Sequence, residues 1–138
     1  MILIALLIAA ATPEPPRAFV NRVIAYEERS DTTMRDEAFL AFFTPRFRAA
    51  IVKDRSGPEL NVIDSDFLCR CQTGVATMRI LALHGSKSAA VAKVESRSVG
   101  ANPPVVATWH LQRDGQGWRI SDVDTAQGRS LLSALEHG

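Results

Sequence analysis

The sequence predicts an α+β domain, with helices in the front half and four antiparallel strands in the back half. Three observations carry this reading. Residues 17–55 place apolar side chains at the three-and-four spacing of amphipathic helices, and from residue 75 onward the spacing shortens to two. Between them, Asp64-Ser65-Asp66-Phe67-Leu68-Cys69-Arg70-Cys71-Gln72 packs both cysteines and two acids into one hinge. Helices first and strands afterwards, in meander order, is the layout of a curved sheet with helices on its concave side. A chain of 138 residues suits one domain, able to bury roughly two thirds of its unfolded surface without obligatory staples.

Residues 1–11 form an unbroken apolar run ending in Ala9-Ala10-Ala11, and residues 12–16 are a Pro-rich spacer that no helix continues through. The run falls short of the roughly 20 apolar residues that span a bilayer. Its small residues suit cleavage near Ala11, so it reads as a signal peptide, although no Lys or Arg precedes it; the expected location is periplasmic or secreted. Residues 17–138 then make the domain. Residues 17–29 set Phe19, Val23 and Tyr26 beside Val20 and Ile24 on one helical stripe. Thr33 is placed to cap a second helix, with Asp36 and Glu37 near the positive end of its dipole and residues 38–43 too apolar to be exposed. Thr44 as cap and Pro45 as first helical residue start a third helix to about Arg55, burying Phe47, Ala50 and Ile51.

Ser56-Gly57-Pro58 ends the helical half. Residues 75–84 and 88–99 are expected to form a hairpin around Gly85-Ser86-Lys87, with Lys93, Glu95 and Arg97 facing water and Ala92 and Val94 facing the core. The clearest strand is residues 105–113, where Val105, Ala107, Trp109 and Leu111 alternate with Val106, Thr108, His110 and Gln112. The turn Asp114-Gly115-Gln116-Gly117 leads into residues 118–124, whose Trp118 and Ile120 share a face, and residues 129–136 are expected to close the chain with a short helix.

The helical half, the Asp-x-Asp-Phe-x-Cys-x-Cys-Gln stretch at residues 64–72 and the Gly-Trp-Arg-Ile-x-Asp-Val run ending at Val123 together resemble the domain of unknown function 3828 family. The resemblance covers nearly all of residues 17–138. It implies an exported bacterial protein with the nuclear transport factor 2-like, or cystatin-like, cone fold. That family has no agreed activity, so the resemblance speaks to fold and leaves function to the residues.

Charge points to no partner class. Residues 1–60 carry eight basic and eight acidic residues and residues 61–138 carry eight and seven, so neither half builds the field that nucleic acid or an anionic membrane requires. Cys69 and Cys71 are the only cysteines, and in an oxidising compartment two thiols this close pair into a local clip at the entry to the sheet. A redox-active dithiol and a soft-metal site completed by His84 or His110 are the other readings of the pair. Asp64 and Asp66 read as loop-ordering acids rather than an acid/base pair, because Asp side chains bond nearby amides readily. Asp122 is expected on the face of Trp118 and Ile120, with Arg79 or Arg97 as its partner.

The cone implied by the resemblance makes Tyr26, Asp64, Asp66, Gln72, Trp109 and Trp118 the candidate ligand-binding residues, around a sheltered hollow near the paired thiols. No Ser-His-Asp order, phosphate-binding glycine loop or zinc-protease element is present. The leading expectation is a non-catalytic exported binding or accessory domain, without metal or cofactor, for an unknown protein or a small apolar ligand, with a homodimer through the open sheet face as a further option. The alternative is a small pocket enzyme of the isomerase or dehydratase type, using Tyr26 with Asp66 or Asp122.

Overall fold

A computed structural model describes residues 13–29, 36–57, 62–63, 65–71, 75–98 and 103–137. Three helices come first: α1 (Pro16–Glu27), α2 (Glu37–Leu40) and α3 (Pro45–Ser56). The strands β1 (Val75–Gly85), β2 (Ala89–Ser98), β3 (Val105–Asp114) and β4 (Gly117–Val123) follow, and α4 (Leu131–His137) ends the described chain. The sheet is antiparallel throughout, in the order β1-β2-β3-β4. The molecule is thus the expected α+β, cone-like fold.

α1 starts on Pro16, whose missing amide proton costs nothing in a first turn. It buries Phe19, Val20, Val23, Ile24 and Tyr26, the expected stripe, and also Glu27. α3 begins as read, with the Thr44 hydroxyl accepting from the Phe47 amide at 3.4 Å, and it buries Phe47, Ala50 and Ile51. The second helix departs from expectation. Thr33 lies outside the described residues, and α2 stops at Leu40 because the next backbone groups have better partners on β4. The Ile120 amide donates to the Phe42 carbonyl at 2.8 Å, and the Thr44 amide donates to the Ile120 carbonyl at 2.9 Å. This short parallel bridge between Phe43 and Ile120 covers the free edge of β4 and fixes the helices against the sheet.

All six phenylalanines sit where helices meet sheet. Phe43 is the hub, with ring centroids 4.9 Å from Phe39, 5.2 Å from Phe47 and 5.6 Å from Phe67. Phe42 stands edge-on to Tyr26 at 5.4 Å and to Phe19 at 6.2 Å. Ala92, Val94, Ala107, Trp109, Leu111, Trp118 and Ile120 close the core from the sheet side.

Two of the strand irregularities set which side chains face outward around the sites below. In β1 the pairs Ile80 with Val94 and Ala82 with Lys93 leave Leu81 as an extra residue, 45% exposed on the outer face. In β4 the pairs Leu111 with Ile120 and His110 with Asp122 leave Ser121 as the extra residue.

The β1–β2 turn depends on Gly85. A Cβ at this position would overlap the Ala89 carbonyl oxygen and lie 2.5 Å from the Ala90 Cα, both backbone atoms that cannot step aside. Gly85→Ala should therefore cost about 1–3 kcal/mol, read as a lowered urea midpoint at unchanged m-value. Among the described residues no helix is long and apolar enough to cross a membrane.

Candidate functional site

The hinge segment folds into a tight loop whose ends are stitched together. Asp66 and Cys71 exchange backbone hydrogen bonds in both directions, at 3.1 and 3.2 Å, and residues 67–70 turn between them. The turn requires Arg70 at φ +53°, a left-handed conformation that costs a residue with a Cβ roughly 1–2 kcal/mol. That bend brings the Cα atoms of Cys69 and Cys71 to 5.3 Å, within disulfide range, and the two are joined. Phe67 and Leu68 point into the core, and the Leu68 carbonyl accepts from the Trp109 indole at 3.1 Å. Asp66 orders the loop as expected: its Oδ1 accepts from the Leu68 amide at 3.0 Å. The Arg70 guanidinium donates to the Val106 carbonyl at 3.0 Å and ties the loop to β3.

The unanticipated member of the site is Glu27, the last residue of α1 and only 8% exposed. Burial, and next a hydrogen bond to the Asp66 carboxyl, push its pKa up to about 10, so it is protonated at neutral pH. Ligand atoms of Glu27, Asp66 and Cys69 all lie within 4.8 Å of one another. A signal for Glu27 exists in the sequence: it follows Val20 and Val23 at helical spacing, on a stripe where every other member is apolar. The three groups do not make a metal centre, because the Cys69 sulfur is committed to the disulfide and two carboxyl groups fall short of a full donor set.

Tyr26 belongs to the same end of α1 but is engaged elsewhere. It is 9% exposed, and its hydroxyl donates to Asp36 Oδ2 at 3.0 Å. Burial, followed by that bond to Asp36, raises its pKa to about 12. Asp36 stands at the N-cap position of α2, near the positive end of the helix as expected, and while its side chain makes no cap bond there it receives Tyr26.

Asp122 is not on the face expected of it. The extra residue Ser121 flips the alternation, so Asp122 pairs across from the outward His110 while Val123 turns inward beside Trp109. Nor do Arg79 or Arg97 serve it: both pair with Glu95. Asp122 instead accepts from the Ser130 hydroxyl at 2.5 Å and the Leu132 amide at 2.9 Å, so it holds the first turn of α4. Tyr26, Asp66 and Asp122 are thus each engaged within the fold, through Asp36, the Leu68 amide and the start of α4 respectively.

Trp109 has no exposed surface and packs as a core residue. Trp118 donates from its indole to the Glu14 carbonyl at 3.1 Å, which pins the Pro-rich spacer to β4. It also lines an open cleft of about 460 Å³, together with Glu14, Arg22, Arg113 and Arg119. Asp64 and Gln72 lie outside the described residues. His84 is exposed at the end of β1, and His110 pairs through Nε2 with Asp124 at 2.8 Å. Neither is among the groups clustered with Cys69. His137, near the terminus, is the last residue of α4.

The outer face of the sheet carries a different chemistry. Glu95, 12% exposed, receives Arg79 at 3.0 Å and Arg97 at 3.4 Å, while the two arginines are 68% and 58% exposed. Arg79, with Arg97 and the electrostatic pull of both, holds the Glu95 carboxyl below the usual carboxylate range. Lys93 is exposed on the same face, as are Leu81 and Val106.

No family model and no curated protein matches the sequence. Among solved structures, a chain of the type VI native effector-immunity complex Tae3-Tai3 from Ralstonia pickettii resembles it, with a TM-score of 0.62 and 15% identity over 83% of this chain and 97% of that chain. At this identity the likeness is one of fold.

Proposed function

We propose that this protein is an exported, non-catalytic binding domain that engages an acidic surface of a partner protein through the outer face of its sheet. One observation carries the reading. The outer face presents Leu81 and Val106, 45% and 40% exposed, beside Arg79, Lys93 and Arg97 with Glu95 as the single carboxylate among them. Exposed apolar side chains next to arginines with usable donors make a surface suited to a protein, while the concave side is filled by phenyl rings and Trp109. A protein of similar fold is held in an effector-immunity complex, which supports a protein as the occupant. Export rests on the apolar run of residues 1–11 and the Pro-rich spacer after it. Membership of the domain of unknown function 3828 family is part of the same proposal, supported by the motif at residues 64–72 and by the fold.

Removing two charges tests the reading. The Arg79→Gln, Arg97→Gln variant should keep the melting temperature within a few degrees, since the amides still offer donors to Glu95 and no like charges are brought together. It should lose, by tenfold or more, an envelope protein that the wild type captures at low salt and releases at high salt. Equal capture by both proteins would overturn the assignment. Sedimentation at two concentrations separates a second copy of this chain from a different partner.

A further inference from the structure

The acid pair at the cysteine loop has no role in binding at the outer sheet face, and it needs an explanation of its own. An apolar side chain at Glu27 would continue the stripe of α1 without the cost of burying a carboxyl group. The acid is nevertheless buried, with a second carboxyl and a disulfide sulfur within 4.8 Å. The two cysteines are also unequally buried. Cys69 is 1% exposed, whereas Cys71 is half-buried at the end of the loop. The backbone ladder between Asp66 and Cys71 and the bond from Trp109 to Leu68 hold the loop in addition to the bridge. A bridge across a single residue adds little loop-closure stabilisation to such a loop.

We infer that the Cys69–Cys71 bridge is a thiol–disulfide exchange centre for a dithiol substrate, with Cys71 as the sulfur that is attacked and the Glu27–Asp66 pair as the proton source for Cys69. The thiolate of the incoming dithiol attacks the Cys71 Sγ, forming a mixed disulfide and breaking the Cys69–Cys71 bond. The departing electron pair stays on the Cys69 Sγ, which takes the Glu27 proton and leaves as a thiol. The substrate's second thiolate then attacks its own sulfur in the mixed disulfide. That step releases the oxidised substrate and leaves Cys71 as a thiolate, which is protonated from solvent. The protein gains two electrons and two protons, counting the reprotonation of Glu27, and the dithiol loses the same. Run backwards against a disulfide of higher potential, the steps restore the bridge. The reduced Cys69 has an acceptor waiting, since its Sγ lies 3.8 Å from the Asp66 carbonyl. A thiolate forming at a buried sulfur is the place where a general acid has most to offer, because the unprotonated form meets the desolvation cost alone.

The test uses the full chain with glutathione and dithiothreitol as probes. Exposed to oxidised glutathione, Cys69→Ser should form a mixed disulfide through Cys71, and Cys71→Ser should do so at least about tenfold more slowly through the buried Cys69, both read by intact mass. Reduction of the wild-type bridge by dithiothreitol should be slowed on the order of tenfold in Glu27→Gln, which also loses the carboxyl contribution to the pH profile. Glu27→Asp, which keeps an acid, should recover part of the rate. A single cooperative melting transition in each variant shows that it remains folded. The proposal is overturned if Cys69 captures glutathione as fast as Cys71, or if Glu27→Gln and wild type are reduced at the same rate with the same pH profile.

Discussion

Truncating Trp109 to Ala should cost about 3–5 kcal/mol, the largest loss expected from any single core substitution here. The indole is wholly buried in the middle of β3, on the concave side where Ala92 of β2 and Val123 of β4 are its cross-strand neighbours. Its removal leaves a cavity at the point where three strands and the cysteine loop meet. It also leaves the Leu68 carbonyl without the indole donor, a loss that alone costs about 1–3 kcal/mol for a buried acceptor. The melting temperature should fall by roughly 15 °C or more. Trp109→Phe separates the two contributions, because it keeps most of the packing and removes only the donor. A Trp109→Ala protein that melts within a few degrees of wild type would mean the loop and sheet are not packed as described.

Stability should fall as pH rises through the neutral range, and Glu27 is the reason. In the folded chain Glu27 keeps its proton until about pH 10, raised first by burial and then by the bond to Asp66, whereas the unfolded chain releases it near the ordinary value of 4.5. Between those limits the folded state binds more protons than the unfolded one, so the free energy of unfolding decreases with pH. The contribution is complete below the unfolded value and lost as pH climbs through the folded one. The slope from this one group is bounded by about 1.4 kcal/mol per pH unit. Urea midpoints measured from pH 5 to pH 9 should decline in the wild type and flatten in Glu27→Gln, whose amide cannot ionise. A variant whose midpoints still track those of wild type across that range would remove Glu27 as the titrating group.

Much of the architecture was legible because it is written in local periodicity. The apolar stripe at Phe19, Val20, Val23, Ile24 and Tyr26, the Thr44-Pro45 helix start and the alternation of Ala107, Trp109 and Leu111 each depend on residues a few positions apart. Those patterns survive folding unchanged. The acid loop around Asp66 was legible for the same reason, since its side chain reaches an amide two residues on. Asp122 was misplaced because period-two reasoning holds only while the register does. One extra residue at Ser121 reverses every later side chain, and nothing in the local composition announces it. Glu27 was missed because a single acid on an apolar stripe ordinarily ends a helix in solvent. Its burial and its bond to Asp66 arise only in the folded chain.

By itself the sequence determined the order of helices and strands, the inward faces of most of them, and the closeness of the two sulfurs. Contacts between neighbours in the chain are enough for these. Tertiary structure alone decided that Glu27 meets Asp66 and Cys69 across about forty residues of sequence. It also decided that a chain of almost balanced charge gathers Arg79, Lys93 and Arg97 around one carboxylate on the outer sheet face. Both depend on strand register and loop closure, which bring together residues whose separation along the chain carries no signal of their distance in space.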